Sequence, residues 1–267
     1  MDFVYKKSQP GISIVFPAYN EEANITAAVT QSHAILSELT TKPFEIVVVN
    51  DGSKDQTGSL LAGLCAQYPE LCAVNHPKNL GYGQAVLTGI RHTRYDQIFF
   101  TDADLQFDLR ELRNFLSEIN NYDLVVGYRI DRKDPWHRLV FAYLWNKTQR
   151  LLFGLKVRDV DCAFKLFHRK VMSNLQIYSL GAMMSSEFLI KAISNGNRLL
   201  EIGVQHYPRL SGKPTGGNYK VIARAFKELA KFFWRWYVVT YRPPVSWPSC
   251  HLNSARLQSL ENVHREI

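Results

Sequence analysis

The 267-residue sequence predicts an α/β fold, a Rossmann-like and mostly parallel sheet flanked by helices, ending in an amphipathic helix. Three observations carry this. Short β-branched runs alternate with helical patterns through the first half. Several of those runs open into polar, turn-forming loops. A stretch near the C-terminus repeats basic and aromatic residues at helical spacing.

The predicted strands are Ile12-Ser13-Ile14-Val15-Phe16, Phe44-Glu45-Ile46-Val47-Val48-Val49, a weaker Leu71-Cys72-Ala73-Val74, Ile98-Phe99-Phe100-Thr101 and Asp123-Leu124-Val125-Val126. Helical patterns fall between them at about 21–40, 56–67, 82–94 and 109–119. Asp108 with Glu111 three residues on reads as a capping pair for the last helix, so Asp108 is a cap rather than a ligand. Ligands of open α/β sheets bind beyond the carboxyl ends of the strands. Strand one runs into Pro17-Ala18-Tyr19-Asn20-Glu21-Glu22, strand two into Asn50-Asp51-Gly52-Ser53-Lys54-Asp55, and strand four into Asp102-Ala103-Asp104. Three such loops at one sheet edge point to a site more strongly than any one of them.

The strongest local signal is Thr101-Asp102-Ala103-Asp104-Leu105-Gln106. An extended segment turns side chains i, i+2 and i+4 to one side, so Asp102, Asp104 and Gln106 are expected to present oxygens together. A hard cation such as Mg²⁺ or Mn²⁺ is held by one or two carboxylates with positions left for substrate phosphates. Taken alone, an Asp-x-Asp also fits a solvated strand end.

Residues 1–127 carry 9 basic and 15 acidic side chains, whereas residues 128–267 carry 23 and 9. The basic second half predicts an anionic partner: a phosphorylated substrate, an anionic membrane or nucleic acid. The apolar fraction excludes disorder of the whole. The N-terminus lacks an apolar leader, and no stretch reaches the roughly 18 apolar residues of a membrane span, so a cytosolic protein is expected. Cys65, Cys72, Cys162 and Cys250 have no metal-ligand spacing and read as reduced thiols.

Four ordered segments resemble family 2 glycosyltransferases, whose fold is of the GT-A type: Phe16 to Glu22, Val49 to Thr57, Asn79-Leu80-Gly81-Tyr82-Gly83-Gln84-Ala85 and Thr101 to Gln106. Within that family the likeness is to polyprenol-phosphate sugar transferases of the dolichol-phosphate mannose synthase group, through Gly127-Tyr128-Arg129 and Arg209-Leu210-Ser211-Gly212. The resemblance covers about residues 10–215. It implies a catalytic domain over 1–215, with a nucleotide-sugar half at about 10–127 and an acceptor half at about 128–215. It also implies that Pro17, Tyr19, Glu21, Asp51, Gly81 and Ala103 bind the nucleotide-sugar, with Asp51 near the base, and that Asp102, Asp104 and Gln106 hold Mg²⁺ or Mn²⁺.

The acceptor implied is a polyprenyl phosphate, already anionic, so transfer from a UDP- or GDP-sugar needs no general base and inverts the anomeric centre. Mannose or glucose is the favoured sugar on family frequency. Arg129, Arg138, Arg209 and Lys213 are the expected acceptor-phosphate residues, since guanidinium grips phosphate bidentately. Asp161 falls where relatives acting on hydroxyls keep a base; with a phosphate acceptor it orders the acceptor loop or pairs with an Arg. Glu187 matches another acidic family position and equally fits a helix-start carboxylate.

Over 216–242 a basic stripe of Lys220, Arg224, Lys227, Lys231 and Arg235 lies opposite an apolar face of Ile222, Phe226, Leu229, Phe233, Trp236 and Tyr237. This fits either a helix in a membrane interface or one docked on the domain. Pro243-Pro244 and Trp247-Pro248 end it, and 243–267 reads as a loose polar tail. The expected setting is peripheral, on the cytoplasmic face of a membrane, with a membrane-protein partner or a shortened natural chain as further possibilities. Three alternatives remain. One is transfer to a saccharide or other hydroxyl with Asp161 as base. A dinucleotide oxidoreductase would use Gly81-Tyr82-Gly83 and Asp102, against which Val86 stands at the third glycine position. A nucleic-acid module would leave the carboxylate loops unexplained; no nucleic-acid partner is expected.

Overall fold

The computed structural model describes residues 8–130, 132, 136–173, 175–209 and 219–240. All five predicted strands form, as β1 (Gln9–Ala18), β2 (Phe44–Asn50), β3 (Leu71–Asn75), β4 (Tyr95–Phe100) and β5 (Leu124–Ile130). Two more follow, β6 (Lys165–His168) and β7 (Leu199–Gln205), and one seven-stranded sheet has the order β3-β2-β1-β4-β6-β5-β7. β6 is antiparallel to both neighbours; every other pair is parallel. The order in which successive strands are added reverses between the parallel strands β1 and β4, which is where open α/β sheets form a crevice.

The helices are α1 (Ile25–Leu39), α2 (Thr57–Gln67), α3 (Tyr82–His92), α4 (Leu112–Glu118), α5 (Trp136–Phe153), α6 (Met183–Ser194) and α7 (Tyr219–Trp234). Strand alternation feeds two cores. Ile14 and Phe16 of β1 pack with α1, α2 and α4, while Val15 packs with α3 and α6 on the other face. Burying sheet residues on both faces is what makes these runs almost wholly apolar.

α1 starts at Ile25 rather than near residue 21; ahead of it the chain is tied to the loop after β2, Glu21 N donating to Thr57 Oγ1 (2.9 Å) and Glu22 N to Asp55 Oδ2 (3.1 Å). The Asp108–Glu111 capping pair is half formed. Asp108 accepts from Arg110 N at 2.9 Å and opens a short 3₁₀ turn, but Glu111 accepts from Gln205 N on β7 (3.0 Å) instead of reaching back.

α7 docks through Ala225, Leu229, Phe232 and Trp236, while Phe226, Phe233 and Trp234 stay exposed. The expected apolar face is therefore rotated: Phe232 takes the place given to Phe233, because α7 packs against α5 and α6 at once. Phe153 of α5 meets Phe232 at 5.1 Å and Tyr237 at 6.1 Å. The helix ends in a π turn over Arg235–Val239. Arg224, Lys227, Lys231 and Arg235 are exposed, as the basic stripe requires. The side chains of Lys220 and Ile222, the residue Lys213 and the proposed tail 243–267 lie outside the described residues. No helix among the described residues is long and apolar enough to cross a membrane.

Candidate active site

The loops after β1 and β2 are tied to each other. Asn20 N donates to Ser53 Oγ (2.9 Å), Lys54 N to Asn20 Oδ1 (2.8 Å) and Gln56 N to Glu22 Oε2 (2.8 Å). Pro17 stands opposite Val49 at the end of β1, and Tyr19 follows half-buried. Among the described residues, the non-glycine positions in left-handed backbone are Asn20 (φ 56°) and Leu105 (φ 59°), one beyond β1 and one beyond β4. Such backbone costs energy and is held only where surroundings dictate it. Both flank the crevice.

Asp51 is buried, and its carboxylate accepts from Leu80 N and Gly81 N, each at 2.9 Å, and meets His76 Nδ1 at 2.7 Å. The other ring nitrogen of His76 lies 3.0 Å from Thr88 Oγ1. Asp51 thus fixes the segment 76–81. Gly52 (φ 67°) allows close passage, since a Cβ there would lie 2.3 Å from the backbone of Lys78. Gly81 (φ 103°) turns the chain into α3, whose first residue is Tyr82. The Tyr82 hydroxyl lies beside the Asp102 carboxylate and favours its charged form.

The extended alternation expected over 102–106 does not form. A turn at Ala103-Asp104, buried at Ala103, and the left-handed Leu105 bring Asp104 back beside Asp102. Gln106 is drawn away: its Nε2 donates to Tyr207 O at 3.0 Å. Burial first, and the Asp104 charge second, raise the Asp102 carboxyl to about 7, with the Tyr82 hydroxyl, Arg129 and Lys165 opposing. Burial also raises Asp104, which Arg209 opposes from 3.5 Å. Asp102 Oδ1 is sealed from solvent with no protein partner. Two close, desolvated carboxylates, one with an orphaned oxygen, fit a divalent cation whose other ligands come from phosphate or water. The bond to Tyr207 uses the amide N–H of Gln106 and leaves its oxygen, the atom that would ligate a cation, out of that contact. Among the described residues no group of three or more His, Cys, Asp or Glu is placed to hold a metal by itself.

Arg209 joins the loops after β1 and β4, since its Nη2 donates to Glu21 Oε1 while Nη1 faces Asp104. On the other side of the site, Arg129 forms a two-point ion pair with Asp159, Nε to Oδ2 at 2.6 Å and Nη2 to Oδ1 at 2.8 Å. Arg132 Nη1 stands 3.9 Å from the same carboxylate. Although burial opposes it, the Arg129 guanidinium holds Asp159 below its ordinary value. Asp161, two residues on, stays open to water in the cleft. Crowding by the surrounding protein first, and the Asp159 charge second, push its carboxyl upward. Arg138 is half-buried in the first turn of α5. Glu187 is fully buried and accepts from Tyr178 N (3.1 Å), Ser179 N (2.7 Å) and Lys191, so it anchors a loop.

Sequence reasoning missed Tyr82, His76, Asp159, Arg132 and Lys165. Lys165 opens β6, fully buried beside Phe100, and its Nζ donates to Val160 O (3.1 Å) and to Cys162 O. From there it shapes the turn that carries Asp159 and Asp161. Only the alternation Asp159-Val160-Asp161 signalled it in sequence, and the ion pair spans 30 residues.

Known proteins share this fold. The profile of glycosyl transferase family 2 matches residues 13–176. An undecaprenyl-phosphate 4-deoxy-4-formamido-L-arabinose transferase of Shewanella sediminis is 30% identical over 220 residues, 80% of this chain and 64% of that protein. A dolichyl-phosphate beta-glucosyltransferase of Trichomonas vaginalis is 32% identical over 183 residues, 62% of this chain and 54% of that one. The chain thus spans less than two thirds of the length of these relatives. In fold it is similar to glucosyl-3-phosphoglycerate synthase from Mycobacterium tuberculosis in complex with Mn²⁺, uridine-diphosphate and phosphoglyceric acid, with TM-score 0.62 and 19% identity over 84% of this chain and 78% of that one. The GT-A type of sheet, with its carboxylate pair at the β1/β4 crevice, and the profile match over more than half its length agree: the chain belongs to glycosyltransferase family 2.

Proposed function

We propose that the protein is an inverting glycosyltransferase that moves a sugar, mannose or glucose favoured, from a UDP- or GDP-sugar to a polyprenyl phosphate. The observation that carries this reading is the division of one cleft into a carboxylate side, Asp102 and Asp104, and a guanidinium side, Arg129 and Arg132. The first suits a cation-bound diphosphate and the second an anionic acceptor. The relatives named for undecaprenyl and dolichyl phosphate support the same acceptor class.

In this reading Pro17, Tyr19, Glu21 and the segment that Asp51 holds, including Gly81 and Ala103 opposite it, line the nucleotide-sugar pocket. Asp102 and Asp104, with Gln106, hold Mg²⁺ or Mn²⁺, which when bound would neutralise charge on the leaving diphosphate. Arg129, Arg138, Arg209 and Lys213 position the acceptor phosphate. One of its oxygens attacks the anomeric carbon in line as the bond to the donor diphosphate breaks, so configuration inverts. The acceptor is already an anion, and no proton must be removed. Asp161 and Asp159 order the guanidinium side. The exposed aromatic and basic residues of α7 favour a peripheral position on the cytoplasmic face of a membrane, with room for an integral partner.

A second reading rests on Asp161, whose raised, water-open carboxyl suits a base that deprotonates a hydroxyl acceptor. A donor-by-acceptor assay decides between them: purified protein with Mn²⁺, UDP- and GDP-sugars, and a short polyprenyl phosphate present or absent. An organic-extractable sugar lipid that EDTA abolishes supports the first reading. Sugar transfer that ignores the lipid phosphate and vanishes in Asp161→Asn supports the second.

A further inference from the structure

The loop before α6, residues 178–181, lies between α3 and α7. One side of it rests on the start of α3. Gln84 N donates to Leu180 O at 3.2 Å, and a Cβ at Gly83 would lie 2.8 Å from the Leu180 carbonyl carbon and 2.8 Å from Met184 Cβ. Only bare backbone at Gly83 admits the loop so close. The same first turn of α3 carries Tyr82, whose hydroxyl lies beside Asp102. The place of this loop therefore bears on the carboxylate side of the cleft.

The other side of the loop is held by α7. The Glu228 carboxylate lies against Gly181, where a Cβ would stand 2.8 Å from Oε1 and 2.9 Å from Oε2. Burial pushes this carboxyl upward, and the backbone N–H groups of Met183 and Gly181, with the Arg224 guanidinium, oppose the shift. The first N–H groups of a helix have no partner within it and carry partial positive charge, so a carboxylate suits the start of α6. Its origin is the informative part. Glu228 is the one acidic residue of α7 and its π turn, against five basic ones. About two turns further along, the Arg235 guanidinium stands 3.9 Å from the centre of the Tyr178 ring. α7 thus meets both ends of the loop. Glu187 holds the same loop from within α6, through Tyr178 N and Ser179 N.

Docking of α7 does not need this carboxylate, since Ala225, Leu229, Phe232 and Trp236 bury an apolar face of their own. We propose that Glu228 is a positioning residue for the donor side of the cleft: it seats loop 178–181 on the start of α3 and so keeps Tyr82 beside Asp102. α7 then belongs to the working site rather than to an appendage beyond residue 215. This rests on the reading of the carboxylate side as the nucleotide-sugar site, but the seating itself is measured without a nucleotide.

The test is amide hydrogen exchange on the full chain, followed by UDP and GDP binding with Mn²⁺ present. In Glu228→Ala, exchange over 82–86 and 178–184 is expected to quicken about tenfold, the size of one lost helix cap, while β1 and β2 keep their protection. Glu228→Gln keeps an acceptor oxygen for the loop and should restore most of that protection. The nucleotide that binds the wild type should bind Glu228→Ala about fivefold to tenfold more weakly, since only the seated form is competent. Val29→Ala, in the other core, separates this from a general loss of stability. It should lower the melting temperature and leave exchange over 82–86 and nucleotide affinity as in the wild type. Four results would overturn the proposal. They are unchanged exchange over 82–86 in Glu228→Ala, faster exchange there with unchanged nucleotide affinity, no rescue by Glu228→Gln, and an equal loss of affinity in Val29→Ala. If the wild type binds neither nucleotide, the donor reading fails, and exchange over 82–86 still decides whether Glu228 seats the loop.

Discussion

Arg209 donates to Glu21 across 188 residues of sequence, closing the crevice between the loops after β1 and β4. The same guanidinium holds the Asp104 charge in check. Arg209→Gln removes both effects. Transfer should fall by about tenfold to a hundredfold, as expected when reacting groups lose their fixed positions. Mn²⁺ affinity, followed by electron paramagnetic resonance, should hold or rise, because a competing positive charge leaves Asp104. Loss of Mn²⁺ binding in this variant would show instead that Arg209 keeps Asp104 charged for the cation.

Metal binding should depend on pH through Asp102. Its carboxyl is raised to about 7, so below that pH a cation must displace a proton. The apparent Mn²⁺ affinity is expected to fall up to about tenfold per pH unit below 7 and to level off above it. Asp102→Asn should flatten this profile and weaken binding at every pH.

The Arg129–Asp159 pair is nearly buried, and breaking such a pair costs about 3–5 kcal/mol. Asp159→Asn should lower stability by that order in urea unfolding at pH 7. Asp159 is held below its ordinary 3.8, so its contribution is complete above that value and is lost as the pH falls through the lower, folded value. The wild-type curve should therefore drop at acid pH more steeply than that of the variant.

Glu111 has the opposite sign. Burial, only partly offset by the Gln205 N–H, raises it from 4.5 to about 7. The fold favours its protonated form, so this group contributes fully below about 4.5 and loses that contribution as the pH rises through about 7. Glu111→Gln keeps an acceptor for Gln205 and should stabilise the protein by about 1–2 kcal/mol above pH 7, with little effect at pH 4.

The two sides of α7 should separate by experiment. Phe232 is buried against Phe153, and Phe232→Ala should cost about 3–5 kcal/mol. Trp234 is exposed, so Trp234→Ser should leave thermal stability almost unchanged and weaken binding to anionic vesicles.

The first half was legible because its strands are buried on both faces and its helices keep one apolar stripe, patterns that local sequence carries. The sheet edge that holds Tyr19, Asp51 and Asp102 followed from those strands. β6 escaped because it has four residues and begins with a buried lysine, whose place depends on carbonyls that only the folded turn supplies. Gln106 was read on an extended segment, and the left-handed Leu105 cannot be seen in residue type. Asp159, in a turn before β6, escaped for a related reason, since its meaning lies in Arg129 on β5, 30 residues away.

Asp51 grips Leu80 and Gly81, and the next residue, Tyr82, sets its hydroxyl beside the Asp102 carboxylate and favours its charged form. The two ends of the proposed donor site are thus joined through Gly81, which lies between Asp51's grip and Tyr82. A nucleotide that presses segment 76–81 home would keep Tyr82 seated and leave Asp102 ready to release its proton to solvent. One that pulled the segment outward would make Asp102 retain it.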